Sequence, residues 1–460
     1  MLNVTIVPNR EFLTSQTAPQ KMFVMLKLRP NKEASLARPA TNFVFLIDTS
    51  GSMYEVVLGE SVRTGKVYQM DGQTYHQVTG GKSKIDLVVE SLKALINSQQ
   101  LGINDRIAII QFDDKASTLI GLTPATEKAQ LEQAIEALKK FSGGTQMGKG
   151  MQEAFKLLFS EGMSSRRVLI FTDGMTFDED LCKELARDFA TENLPITALG
   201  VGNYAEDLLI HLGDTTGGRL FHVSTEEENK ELAVSIDKLP QKIIEEFTQA
   251  QQDVVTNIAI SVKTVQGVEL TRIARVYPEP AEFLLTEQPY SIGNAAANDE
   301  TIFILEFSIT NRPAAKVRIA QLGLTYDIPG KNQRGELPPQ NLIIQFVTGE
   351  VNTPFNSEVM SYLQQLNTVG LIKQATQLAE SNPSKAQQLL EAAGRLTQNV
   401  GNEAMRRTIV LAQDELRKTR KISDSTRKTI KMGAKGKTVL VNDQSDEQLS
   451  EEVIRKMSGT

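Results

Sequence analysis

Phe43-Val44-Phe45-Leu46-Ile47 is apolar at every position. A short, unbroken run of this kind suits a strand covered by helices on both faces. After it the pattern alternates between two periods. Helical spacing covers 85–96, 127–138 (with Thr126 as N-cap), 147–159, 179–191 and 205–213. Between these lie short apolar strands at 106–112, 168–171, 196–201 and 220–223. Strands alternating with helices predict a Rossmann-like α/β domain with a mostly parallel central sheet.

Beyond residue 250 the period changes to two. The segments 257–262, 270–276, 302–307, 317–326 and 342–346 alternate apolar and polar residues, with turn residues between them. This predicts an antiparallel β-sandwich. An early strand at Lys21–Leu28 has no slot in the α/β order and is assigned to the sandwich. From Val359 the spacing is helical again, with stripes at Val359/Tyr362/Leu363/Leu366, Ala386/Leu389/Leu390/Ala393 and Met405/Ile409/Ala412/Leu416. A small helical bundle is expected. The resulting division is 1–40, N-terminal strands of the sandwich; 41–225, the α/β domain; 226–252, a connecting helix; 253–350, the sandwich; 355–420, the bundle; and 421–460, a tail, basic then acidic. The tail is expected to be mostly disordered, apart from a short helix near 446–457.

Composition narrows the function classes. The chain has 460 residues, 40% hydrophobic and 23% charged, with a net charge of −6. That balance argues against a dedicated nucleic-acid binder. A single cysteine, Cys182, excludes a disulfide framework and a thiolate metal site. The three histidines, His76, His211 and His222, lack metal-ligand spacing. No basic and apolar leader and no membrane-length apolar stretch is seen, so a cytoplasmic location is expected.

Candidate chemistry sits at the ends of the predicted strands, where open α/β sheets bind ligands. Asp48-Thr49-Ser50-Gly51-Ser52 places oxygen-bearing side chains at alternate positions directly after the first strand. Such a set can converge on a hard cation, which takes oxygen ligands. Phe141-Ser142-Gly143-Gly144-Thr145 precedes a helix and can present a hydroxyl from Thr145. Phe171-Thr172-Asp173-Gly174 ends a strand and offers a second carboxylate.

These three motifs resemble the von Willebrand factor type A family, with its metal-ion-dependent adhesion site. The family pattern is D-x-S-x-S, a Thr after a glycine-rich loop and the Asp of T-D-G. It is matched at Asp48, Ser50, Ser52, Thr145 and Asp173. The resemblance covers roughly residues 40–225. It implies Mg²⁺ or Mn²⁺ held directly by Ser50, Ser52 and Thr145, with Asp48 and Asp173 acting mainly through water. The last coordination position would go to a carboxylate of a protein partner. The implied function is an adaptor or scaffold rather than an enzyme.

Two features adjoin this reading. The segment 54–82 is an insertion before the first helix, and Asp71-Gly72 between alternating runs predicts a hairpin with Tyr68 opposite Tyr75. Tyr68, Asp71 and Tyr75 are then candidate partner contacts on a specificity arm, the alternative being a decorative loop. In the tail, basic residues precede Thr419, Thr429 and Thr438. These are candidate phosphosites for a Ser/Thr kinase, readable by a forkhead-associated domain, the alternative being a solvated basic tail. Proteins of this resemblance often occur beside such kinases.

Asp113-Asp114 reads as a solvated turn, and no Ser-His-Asp triad is supported. Two other classes compete with the adaptor. A metal-assisted phosphohydrolase with Asp48 as nucleophile would want a carboxylate two residues on, where Ser50 stands. An adaptor of a separate AAA+ ATPase is also compatible, since the chain has no phosphate-binding G-x-x-x-x-G-K-[ST] loop of its own.

Overall fold

The computed structural model describes residues 1–15, 19–70, 73–140, 143–202, 204–224, 234–349, 354–436 and 438–439. They fall into two compact units. One holds Ala37–Thr256 and Ile328–Gln333. The other holds the described residues of Met1–Leu36, Asn257–Asp327 and Arg334–Thr460.

The first unit is built on a 7-stranded sheet. In spatial order its strands are Ala116–Pro124, Arg106–Phe112, Thr41–Asp48, Ser165–Thr172, Ile196–Val201, Arg219–Ser224 and Val234–Ser235. Every pairing is parallel except that of the edge strand Ala116–Pro124. Thr41–Asp48 is buried at every position because both of its faces are covered. Phe43, Phe45 and Ile47 pack into a cluster with helices Lys84–Asn97, Lys128–Ala137 and Leu239–Gln252. Val44 and Leu46 face the other way, where Gly150 admits helix Met147–Leu158. A Cβ at Gly150 would stand 2.5 Å from Leu46. Each large side chain so buried contributes about 1.5–3 kcal/mol through removal from water. The doubly wound α/β class expected from the pattern is the one observed.

Some local expectations differ. Helix Lys128–Ala137 starts after Glu127, without a side-chain cap from Thr126. The edge strand Ala116–Pro124 was not foreseen, because Ala116-Ser117-Thr118 opens it with small and polar residues. The helix expected as a connector in 226–252 is Leu239–Gln252, and it belongs to the α/β core. Leu239, Ile243, Phe247 and Ala250 are fully buried there, with Phe247 5.3 Å from Phe43.

The second unit is built mainly on two sheets, three of whose strands begin or end within residues counted to the first unit (Asp253–Thr256, Ile328 and Gln333). One runs Leu2–Pro8, Gln20–Pro30, Thr301–Ile309, Val268–Tyr277, Ala281–Phe283. The other runs Tyr290–Ala296, Asp253–Thr264, Lys316–Ile328, Gln333–Val347, Phe12–Thr14. Gln20–Pro30 pairs antiparallel with Thr301–Ile309, Leu28 opposite Thr301. Its Phe23 and Met25 meet Val359, Tyr362, Leu363 and Leu366 of helix Ser357–Leu378. Met22, Val24 and Leu26 alternate with these and are also fully buried, so both faces of this strand are covered.

Helices Pro383–Val400, Glu403–Thr419 and Asp424–Lys435 complete the helical region. The last of these corrects the expected disordered tail. Ser423 caps it through Thr426 N, and Ile422, Ile430 and Ala434 join one apolar cluster with Ile409, Ala412 and Leu416. Few apolar residues suffice, because they lie on one face. The helix expected near 446–457 lies outside the described residues. No helix among the described residues is long and apolar enough to cross a membrane.

Candidate metal centre

The parallel pairing of Thr41–Asp48 with Ser165–Thr172 sets Ile47 opposite Phe171, so Asp48 and Thr172 end side by side. Thr172 Oγ1 donates to Asp48 Oδ2 at 2.6 Å. Ser50 N donates to Asp48 Oδ1 at 2.9 Å, which folds the loop back over its own first residue. Ser50 Oγ and Ser52 Oγ are 3.2 Å apart, and Ser52 Oγ donates to Asp173 Oδ1 at 2.8 Å. Asp48, Ser50, Ser52 and Asp173 therefore form one continuous polar chain across two strand ends. Thr145 Oγ1 lies 3.8 Å from where a Cβ on Gly174, the residue after Asp173, would stand.

The supporting loops are cross-tied. Thr49 N and Oγ1 bond to Phe112 O and Gln111 Oε1 of the neighbouring strand. Gly51 N donates to Gly143 O at 3.1 Å, and Phe177 N to Thr145 O at 3.0 Å. Helix Met147–Leu158 takes its N-terminal partners from the loop after Asp173: Thr176 Oγ1 accepts from Met147 N and Asp178 Oδ1 from Gly148 N.

Asp113-Asp114 meets the expected solvated turn only in part, since Asp114 is exposed and Asp113 is not. Asp113 is buried, and its carbonyl accepts from Gln146 N. Asp114 Oδ1 accepts from Gly144 N at 3.0 Å and lies only 2.6 Å from where a Gly144 Cβ would be. The glycine pair is thus explained by a carboxylate lying against it. Nothing in the sequence pattern links Asp114 to that loop.

The electrostatics favour a cation. Burial pushes the Asp48 carboxyl up to about 7, with the Asp173 charge adding to it, and the bonds from Thr172 and Ser50 only partly offset this. Two buried carboxylates and three hydroxyls make a hard-oxygen donor set of low total charge. Among the described residues no group of three or more His, Cys, Asp or Glu converges, here or elsewhere, so the acidic part of this set is Asp48 and Asp173 alone. The side chains at Asp48, Ser50, Ser52, Thr145 and Asp173 fit a divalent ion on these grounds.

The sequence reading missed Lys84. Its Nζ lies 2.7 Å from Asp173 Oδ2 and 2.6 Å from Glu55 Oε2. Burial works against its charge, but Asp173 and Glu55 outweigh that and hold it above the usual lysine value. Lys84 opens helix Lys84–Asn97 at the far end of the insertion, and Glu55 stands at the near end.

The insertion itself has two parts. Val56–Leu58 pairs with Lys82–Ser83 at its base. Beyond them Val62–Met70 pairs with Gln73–Thr79, Tyr68 opposite Tyr75. Asp71 and Gly72 lie outside the described residues. Of the tail threonines, Thr419 is exposed. Thr429 is buried, and Thr438 is held by Val276 O at 2.6 Å and Pro278 O at 3.0 Å. Neither of those two stands free for a kinase, as an open tail would have allowed.

Residues 42–235 match the family model of the von Willebrand factor type A domain. Residues 357–440 match that of the Sll0103-like C-terminal alpha-helical domain, a span that takes in the helix Asp424–Lys435. The chain is 26% identical over 218 residues to YfbK of Escherichia coli (strain K12), covering 45% of this chain but 32% of that protein. It is 25% identical over 266 residues to sll0103 of Synechocystis sp., covering 53% of this chain and 59% of that protein. It thus spans less than two thirds of either relative. A von Willebrand factor type A protein from Catenulispora acidiphila shares its fold, with a TM-score of 0.73 at 16% identity over 95% of this chain and 97% of that one. So does the ArnB paralog VWA2 of Sulfolobus acidocaldarius, with a TM-score of 0.58 at 15% identity over 94% and 97%. Residues 42–235 thus match the von Willebrand factor type A domain, and the chain shares its fold with solved proteins that carry that domain. Such domains are generally protein-interaction modules and often bind a divalent metal at their adhesion site.

Proposed function

We propose that this protein is a metal-dependent adaptor that captures an acidic side chain of a partner protein. The observation that carries the reading is the unbroken chain Asp48–Ser50–Ser52–Asp173 at two adjoining strand ends. Mg²⁺ or Mn²⁺ would be held there by Ser50, Ser52, Thr145, Asp48 and Asp173. Neutral hydroxyls leave such an ion electrophilic, so it supplies an attractive site for an incoming carboxylate. Met175 and Phe177 follow Asp173 closely and are 59% and 77% exposed. An apolar rim beside a charged anchor suits protein recognition. The arm at Val62–Thr79 emerges from the same loop and is the candidate for setting which partner fits. Regulation by a kinase would act at Thr419, which is exposed. A phosphohydrolase is disfavoured because Ser50 stands where such an enzyme would want its second carboxylate, two residues after Asp48.

The test is affinity capture from a lysate of the source cells with Mg²⁺ and with EDTA, using the native chain and a Ser50→Ala/Ser52→Ala variant. A partner retained only by the native chain with metal supports the adaptor. Equal retention in EDTA and by the variant overturns it.

A further inference from the structure

Lys84 breaks two local rules. Cations are unfavourable in the first turn of a helix, and ammonium groups are rarely buried without a reason. Yet Lys84 is the first residue of its helix and its side chain is 7% exposed. Its backbone position is fixed by a capping box, in which Ser83 Oγ accepts from Asp86 N and Asp86 Oδ2 accepts from Ser83 N. The side chain runs to the proposed metal acid, Asp173, whose carboxylate is wholly buried. With Ser52 Oγ on Oδ1 and Lys84 Nζ on Oδ2, both Asp173 oxygens are occupied and its charge is neutralised. On the other side of the ammonium stands Glu55, 65% exposed, at the base of the arm. Lys84 N also donates to Glu55 O.

A positive charge within hydrogen-bond reach of a metal acid opposes a divalent ion. We propose that the Lys84 ammonium is a built-in competitor for the divalent ion at Asp173, and that Glu55 is the station to which it withdraws when the metal loads. This rests on the metal reading of the site and adds to it a reason for weak, displaceable metal binding. A protein with its own counter-cation keeps Asp173 satisfied without metal, so the site stays folded and exchanges its ion. Because Glu55 opens the insertion, whatever pulls on the arm's base also changes how firmly the ammonium sits on Asp173.

Mn²⁺ alone is the probe, titrated into the full chain with free Mn²⁺ read by electron paramagnetic resonance. The set is the native chain, Lys84→Arg, Lys84→Gln, the double variant Lys84→Gln/Glu55→Gln, and Asp48→Ala. The double variant keeps the net charge of the native protein, so a gain there isolates the release of Asp173. Lys84→Gln and the double variant are expected to bind Mn²⁺ at least tenfold more tightly than the native chain, and Lys84→Arg to match it. Equal or weaker binding by both folded glutamine variants overturns the inference. If Asp48→Ala still abolishes native binding, the metal reading survives that result. If none of the chains binds Mn²⁺, both fail together. Should loss of the ammonium unfold the domain, pulse amine labelling of native Lys84 decides. Labelling that rises with Mn²⁺ supports withdrawal from Asp173, and unchanged labelling overturns it.

Discussion

Thr172 holds Asp48 by a 2.6 Å hydrogen bond between the last residues of two neighbouring parallel strands. The hydroxyl holds Asp48 Oδ2 while Ser50 N holds Oδ1, so both oxygens of the carboxylate are tied. Thr172→Val keeps the shape and removes the donor. A buried acceptor that loses its partner costs about 1–3 kcal/mol. The expected result is that much loss of stability in urea unfolding. Outer-shell partners of ligating carboxylates also tune metal affinity, so Mn²⁺ binding should weaken roughly tenfold or more. Unchanged unfolding and unchanged Mn²⁺ binding would show that the bond has no part in setting Asp48.

The Gly143-Gly144 pair gives a second prediction. A Cβ at Gly144 would meet Asp114 Oδ1 at 2.6 Å and Phe177 Cε2 at 3.2 Å. Asp114 is exposed and can rotate away, so Gly144→Ala should fold. It would do so by giving up the bond between Gly144 N and Asp114, a loss of about 0.5–1.5 kcal/mol. Asp114→Ala alone should cost a similar amount. The double variant should then cost less than the sum of the two, because only one bond exists to lose. Strict additivity in a double-mutant cycle would contradict the contact.

The continuous apolar run at Phe43–Ile47 was readable as a doubly covered strand because its surroundings leave no polar face. Asp48, Ser50, Ser52, Thr145 and Asp173 were readable as candidates because each follows a strand or precedes a helix in a recognisable order. Lys84 was not readable as a neighbour of Asp173. Their approach depends on how the insertion returns to the sheet, and no local spacing records that path. Asp114 was hidden for the same reason. Helix Asp424–Lys435 was lost to composition: Arg427, Lys428, Lys431 and Lys435 dominate the sequence, while Ile430 and Ala434 do the packing.

Glu246 supplies a pH-dependent prediction. It is 1% exposed and lies among Arg219, Lys242 and Arg167 at 3.5, 3.2 and 3.8 Å. Burial raises its carboxyl, but the three cations outweigh that and hold it below the usual glutamate range. The unfolded chain therefore takes up this proton at higher pH than the folded one. The stabilisation is full above the unfolded value near 4.5 and is lost as pH falls through the folded value. Glu246→Gln removes the stabilisation at neutral pH and takes the buried anion away from Arg219 and Lys242, while Arg167 keeps Asp253 at 2.8 Å, a loss of about 3–5 kcal/mol. Its unfolding free energy should also fall less steeply below pH 4.5 than that of the native chain. Parallel pH profiles for the two proteins would rule out this role for Glu246.

Ile430 tests whether the end of the described chain is structure or appendage. It is fully buried in the cluster that also holds Ile372, Leu390, Ile409 and Leu416. Beyond it, Thr438 bonds to Val276 and Pro278, and the Gln365 side chain bonds Val439 at both N and O, each at 3.0 Å. A solvated tail would tolerate any change at these positions. Ile430→Ala should instead cost about 2–5 kcal/mol, the range for emptying a packed aliphatic site. Truncation after Lys421 should do more, since it also uncovers Ala412 and Leu416 and leaves Gln365 without its partner. The expected sign is a lower unfolding midpoint for both variants, with faster proteolysis inside Glu403–Thr419 as that helix loses its cover. The measurement discriminates because the proposed metal site lies in the other unit, where any Mn²⁺ affinity should be unchanged. A truncated chain with native unfolding and native protease resistance would return these residues to the status of a tail.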